Sequence, residues 1–281
     1  LGVTDATSFV DNDIPPNQQM YYIVVGTNRG GSSSASGGAN ATSVDVPALT
    51  TANIYLRVGF PGPLGDGNLA YNESVLSPRG TFNDHEGNLY VADTSNNRIR
   101  FMPKKTGVYF GQSMKANLIY TIAGDGTYGS TGDGGVATSA KLKSPHRIAV
   151  DLSGNVYIAD YSNHKIRFVP KTGGTYFGQS MTANYIYTIA GTGTASFGGD
   201  GGAATSAQMN IPFDVGVDGS GNVYIADYTN NRIRFVARAD GTYFGQSMTA
   251  NYIYTIAGNG TGASSGDGVV ATSGQIDRPR G

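Results

Sequence analysis

The feature that most limits what this chain can fold into is an internal repeat of 67 residues. Asp93, Asp160 and Asp227 end the segments NLYVAD, NVYIAD and NVYIAD at that spacing, and Gly124, Gly191 and Gly258 close three IYTIAG segments in the same register. Pro78, Pro145, Pro212 and Pro279 keep step, as do Asp66, Asp133, Asp200 and Asp267, each inside a Gly-Asp-Gly turn. Three whole units follow, at about 78–144, 145–211 and 212–278, with no insertion or deletion between them. A unit repeated at a fixed period cannot bury its apolar faces alone, so each copy must hide them against its neighbours.

Within the second unit, four apolar runs are separated by turn residues: Arg147 to Asp151, Asn155 to Asp160, Lys165 to Val169 and Tyr185 to Ala190. Residues in KIRFV alternate, with Ile166 and Phe168 on one side and Lys165 and Arg167 on the other, which predicts strands. The links Asp151-Leu-Ser-Gly-Asn155 and Asp160-Tyr-Ser-Asn-His164 carry the Asp, Asn and Gly of tight turns, so both are expected to be hairpin connections. A content of 42 Gly, 18 Tyr and 11 Phe, with only 14% charged residues, supports turn-rich all-β structure. Four-stranded antiparallel units that stack radially make a β-propeller.

The run from Pro145 to Arg167, P-x-x-I-A-V-D-x-x-G-N-V-Y-I-A-D-x-x-N-x-x-I-R, resembles the NHL repeat of bacterial exported proteins and recurs from Pro212 to Arg234. The first copy keeps GNLYVADTSNNRIRF but has the weaker opening strand Gly80 to Asp84. Two insertions lengthen the usual repeat: the Gly-Asp-Gly-Gly-x-Ala-Thr-Ser stretch, and a segment around Phe-Gly-Gln-Ser-Met between the third and fourth strands. Residues 1–50 differ in kind. Thr7 to Asp11, Gln19 to Val25, the Gly- and Ser-rich tail from Gly26, and Ala41 to Val46 resemble the closing strands of a fibronectin type III domain. Residues 51–281 form the propeller part, and Asn53 to Gly59 resembles a lone fourth strand that could complete another blade. Propellers close with about four to eight blades. The sequence also opens at Leu1 without a signal peptide and stops where a fourth copy would begin. It therefore reads as processed or cut from a longer array, six-bladed for instance, or as a partial ring that self-associates.

Several residue sets are candidate sites. Gly174 to Gly191 and Gly241 to Gly258 are the same eighteen residues, and Gly107 to Gly124 differs at three positions. Each copy would present a trio for stacking on a sugar or anchoring a protein: Tyr109, Phe110 and Gln112; Tyr176, Phe177 and Gln179; Tyr243, Phe244 and Gln246. The competing reading is that duplicated aromatics cover the outer edge of each blade. Asp133, Asp200 and Asp267, with Asp125, are weak calcium candidates, offset by too few carboxylates per loop. They read better as turn-capping acids, as do Asp84, Asp151 and Asp218. The stripe Arg98, Arg100, Lys165, Arg167, Arg232 and Arg234 is expected to pair with Asp93, Asp160 and Asp227 or their neighbours rather than with RNA, because the formal net charge is −1.

Propellers similar to this one include lyases with an axial metal held by His residues. Here His85, His146 and His164 fall at three different phases of the repeat and cannot converge symmetrically, and no Ser-His-Asp set stands out. With no cysteine, disulfides and thiolate sites are excluded. The expectation is a non-enzymatic, secreted or cell-surface bacterial protein that recognises a glycan or protein through repeated loops, without nucleic acid or a membrane span. The alternatives are a structural stalk and, less favoured, a metal-dependent lyase.

Overall fold

The computed structural model describes residues 65–70 and 74–281, together with the short strands Thr27–Asn28 and Gly31–Ser32. Those two strands pair antiparallel, Thr27 opposite Ser32. The rest of the fibronectin-like segment and the Asn53 to Gly59 strand lie outside the described residues.

The predicted strands form where the alternation places them. In the second blade, Ile148–Val150 lies innermost, followed outward by Val156–Asp160, Lys165–Val169 and Tyr185–Ala190, antiparallel throughout. The third blade repeats this with Pro212–Val217, Val223–Asp227, Arg232–Val236 and Tyr252–Ala257. The first uses Gly80–Asn83, Leu89–Asp93, Arg98–Met102 and Leu118–Ala123. Its opening strand forms despite a weak sequence, and the glycine in it has a steric reason: a Cβ on Gly80 would stand 2.5 Å from the carbonyl oxygen of His146 on the neighbouring blade.

The Gly-Asp-Gly-Gly insertion adds a fifth strand to each sheet, and it adds it to the next blade. Gly135–Val136 leaves the first blade and pairs with Tyr185–Ala190, the outer strand of the second. Gly202–Ala203 does the same on Tyr252–Ala257, as Asn68–Leu69 does on Leu118–Ala123. Each connection therefore runs out to the rim of the following blade before returning to start its innermost strand. That path clasps successive blades through backbone hydrogen bonds.

The apolar cores lie between blades. Ile99, Phe101 and Ile122 of the first pack with Ile148, Val156 and Ile158 of the second in one buried cluster. A second cluster joins Ile166, Phe168 and Ile189 to Val215, Val223 and Ile225 of the third. This is the mutual burial the repeat requires, and it is driven mainly by removal of apolar surface from water.

Candidate ligand site on the turn face

The insertion between third and fourth strands is a small hairpin in every blade, for example Gly174–Tyr176 paired with Gln179–Met181. Phe177 and Gly178 form its two-residue turn with φ of 49° and 72°. Positive φ at both positions is the geometry that suits hairpin twist, although it is an uncommon conformation for phenylalanine. The ring lies inward: Phe177 packs edge-on against Phe168 at 5.5 Å and Tyr157 at 6.3 Å. Phe110 and Phe244 make the same contacts with Phe101 and Phe235, both at 5.4 Å. Tyr109, Tyr176 and Tyr243 lie against the same phenylalanines and donate their hydroxyls to Lys105, Thr172 and Ala239 carbonyls. Gln112 and Gln179 donate to the carbonyls of Thr121 and Thr188, and Gln246 holds the same half-buried position in the third hairpin. Rings and amides here are largely engaged with the blade itself.

Half of the charged stripe, Arg100, Arg167 and Arg234, resolves into buried ion pairs, whereas Arg98 and Arg232 donate to backbone carbonyls instead. Arg167 is fully buried, with Nη1 3.2 Å from Asp160 and Nη2 2.8 Å from Asp133. Arg234 pairs likewise with Asp227 and Asp200, and Arg100 with Asp93 and Asp66. Asp133 belongs to the connection arriving from the previous blade, and it also accepts the Thr188 hydroxyl at 2.7 Å. It therefore fastens the clasp rather than capping its own turn. A carboxylate neutralised by a guanidinium is a poor calcium ligand. No group of three His, Cys, Asp or Glu residues with metal-binding geometry occurs among the described residues. Asp160 also accepts the Lys143 N–H and the Asn163 amide, while burial pushes its pKa up to about 6 against the pull of Arg167. Asp151 works locally: it accepts N–H groups from Ser153 and Asn155 and the Tyr157 hydroxyl, closing the turn between first and second strands.

A cleft lies where all three innermost strands begin, beside the turns that join second and third strands. It encloses about 410 Å³ and is lined by Arg79, His146, Tyr161, Phe213, Tyr228 and Arg280, with Ser77, Thr94, Ser95 and Ser144. Arg79, His146, Phe213 and Arg280 occupy one repeat phase, as do Thr94, Tyr161 and Tyr228. His146 stacks on Tyr161 at 3.6 Å, and Phe213 meets it edge-on at 4.9 Å. Arg280 lies over Phe213 and Tyr228 at 5.6 and 5.5 Å. No lining residue carries a carboxylate side chain. His146 is 5% exposed, and its Nδ1 has no hydrogen-bond partner among the described residues. Burial, then Arg79 and Arg147, hold its pKa down to about 3, so the ring is neutral at pH 7.

Sequence reasoning missed this cleft because it weighed histidine only as a metal ligand needing like copies, whereas the phase of His146 mixes Arg, His and Phe in one cleft. A usable signal was present: in a repeat that keeps eighteen residues identical between copies, the phase of His146 reads Arg, His, Phe, Arg.

Comparison with known proteins agrees with the repeat. The NHL repeat family model matches residues 142–167. Human teneurin-1 is 34% identical over 114 residues, which is 37% of this chain and 4% of teneurin-1. Bovine NHL repeat-containing protein 2 is 31% identical over 153 residues, covering 52% of this chain and 18% of that protein. The chain thus spans less than a fifth of either relative. An auxiliary nutrient binding protein from Bacteroides thetaiotaomicron aligns in structure with a TM-score of 0.48 and 15% identity, over 74% of this chain and 43% of that one.

Proposed function

We propose that the chain is a recognition head whose turn-face cleft takes a small ligand bearing a flat ring and an anionic oxygen. The observation that carries this reading is an aromatic wall flanked by two arginines in a cleft whose lining holds no acid. Tyr161, Phe213 and Tyr228 supply ring faces, and Arg79 and Arg280 supply positive charge unopposed by any acid in the lining. Binding is favoured over turnover because an imidazole with a pKa near 3 is a weak base at neutral pH. Placement outside a bacterial cell, on the surface or secreted, accords with the charge-poor, cysteine-free composition. No helix among the described residues is long and apolar enough to cross a membrane.

The test is a titration with aromatic carboxylates and aryl phosphates, followed through the His146 ring signals by NMR. Saturable binding that weakens about tenfold in Tyr161→Ala supports the reading. Ligands that leave His146 untouched and are lost instead in the Tyr176→Ala, Tyr243→Ala double variant move the site to the hairpins. That second reading, adhesion to a glycan or protein through repeated loops, is favoured by one feature: Phe244 is 57% exposed in the third blade. A glycan array on the same two variants separates them.

A further inference from the structure

On the same face, a second cavity opens on the outer side of the turn that carries Tyr161. It encloses about 440 Å³ between the two clasping connections, and its lining includes Tyr128, Ser130, Lys143, Ser162, His164 and Gly193. No lining residue carries a carboxylate side chain. It is separate from the turn-face cleft and shares no lining residue with it.

The three copies of one turn position show what sets this cavity apart. Asn97, His164 and Asn231 all hold left-handed backbone, with φ of 53°, 54° and 52°. Each side chain accepts the N–H of the residue 47 positions onward: Asn97 from Ser144, His164 Nδ1 from Ile211 at 3.0 Å, and Asn231 from Arg278. Histidine thus performs the structural task of the asparagine it replaces, at a position where asparagine tolerates the backbone better. What changes is the other end of the side chain. The Asn97 and Asn231 amides donate to the carbonyls of Gly126 and Gly260. His164 makes no such bond to Gly193 among the described residues. Because Nδ1 accepts a hydrogen bond, the neutral ring carries its proton on Nε2, a donor left without a protein acceptor.

Lys143 departs from its copies in the same way. Its backbone N–H caps Asp160, as those of Leu76 and Asn210 cap Asp93 and Asp227. The side chain is unconstrained by that task, and in this copy it is an ammonium standing 4.8 Å over the Tyr128 ring. The copies of Tyr128 are Ala195 and Gly262. Three unlike substitutions therefore meet at one place, Tyr128 and Lys143 from the connection leaving the first blade and His164 from the second, and together they bring a cation, a free N–H donor and an aromatic wall to one cavity that holds no acid.

We propose that this cavity binds a small oxyanion, a phosphate or carboxylate group, through the Lys143 ammonium and His164 Nε2–H, with the Ser130 and Ser162 hydroxyls as further donors. Charge-assisted bonds to an anionic oxygen are about twice as strong as neutral ones, so the lysine contributes the larger share. Tyr128 gives a ring face for the apolar side of a sugar that bears the anion.

The experiment is an NMR titration of the full chain with inorganic phosphate and, separately, with glucuronate, at ionic strength held constant with chloride. The expected result is a saturable shift of the His164 ring signals, with whichever anion binds tighter naming the source of the oxyanion. Lys143→Asn and His164→Asn install residues that sister copies already carry, so the fold has precedent for both. Each is expected to weaken binding at least about tenfold. Lys143→Met, which keeps the stem over Tyr128, must weaken binding equally, and this guards against a packing effect in Lys143→Asn. Shifts that never saturate, saturation seen only at His146, or affinity unchanged in Lys143→Met would each overturn the proposal.

Discussion

The outer hairpins and the turn face belong to the same three repeats and are built on opposite terms. In the hairpins, side chains are nearly identical from copy to copy, and the structure turns them inward onto Phe101, Phe168 and Phe235. On the turn face the backbone is just as regular, with Asn97, His164 and Asn231 in one conformation, yet side chains vary from copy to copy, as Asn, His, Asn there and as Arg, His, Phe at the phase of His146. The difference teaches that sameness here follows from packing. A hairpin ring must fit one inter-blade groove, and that groove recurs each 67 residues. At the phase of His146 and Phe213 the recurring tyrosine neighbour accepts either ring, so residue type there is free to suit a ligand.

The strongest way to break that contrast is through the invariant half. Asp160→Ala should cost about 3–5 kcal/mol in urea denaturation, because it leaves Arg167 as a buried charge missing one of its two carboxylates. Replacing both partners, Asp160→Leu with Arg167→Met, should recover part of that loss. A cost under about 1 kcal/mol for the single variant would mean the pair is solvated and the clasp is incidental. Next in size comes one residue type in two settings. Phe177 is 6% exposed, beneath Arg238 of the following blade at 5.4 Å, while Phe244 is 57% exposed. Phe177→Ala should cost about 3 kcal/mol and Phe244→Ala less than about 1. Equal costs would show that a partner covers the flank of the third blade in solution.

How much of this was readable beforehand depends on the range of the interaction. Strands, hairpin turns and the pairing of Arg100, Arg167 and Arg234 with Asp93, Asp160 and Asp227 were legible, because their determinants lie within one unit. The clasp was not. Asp133 meets its partners Arg167 and Thr188 one blade onward, with Thr188 55 residues away, and only the path of the chain reveals that its Gly-rich loop crosses to the next sheet. Alternation also suggested one packed and one polar face. That second face was expected to be wetted or salt-bridged, and Arg167 is salt-bridged, fully buried because neighbouring blades cover both faces. The cleft escaped notice for a different reason: histidine was weighed as a metal ligand requiring like copies, and His146 works among unlike ones.

The variable half yields smaller effects, and pH separates them from packing. His146 in the unfolded chain takes up a proton near pH 6.5, whereas in the folded protein it stays neutral until about pH 3. Its share of stability is therefore complete above pH 6.5 and is lost progressively as pH falls toward 3. Between pH 7 and 5 the expected loss is about 1–2 kcal/mol, read from urea midpoints. His146→Phe, which installs the residue found at Phe213, should flatten that part of the profile while other groups keep titrating.

The smallest change should be the most telling for recognition. Arg79 is exposed and lines the cleft, and its charge is one of the forces that depress the His146 pKa. Arg79→Ala should leave stability within about 0.5 kcal/mol of the parent, raise the His146 pKa measured by NMR, and weaken an anionic ligand about fivefold. A packing role would give the reverse pattern: lost stability, with the ring titration and the affinity for a neutral ligand of the same shape falling together. Loss of affinity for the anion alone, in a protein that unfolds as before, is the signature of a side chain kept for its charge.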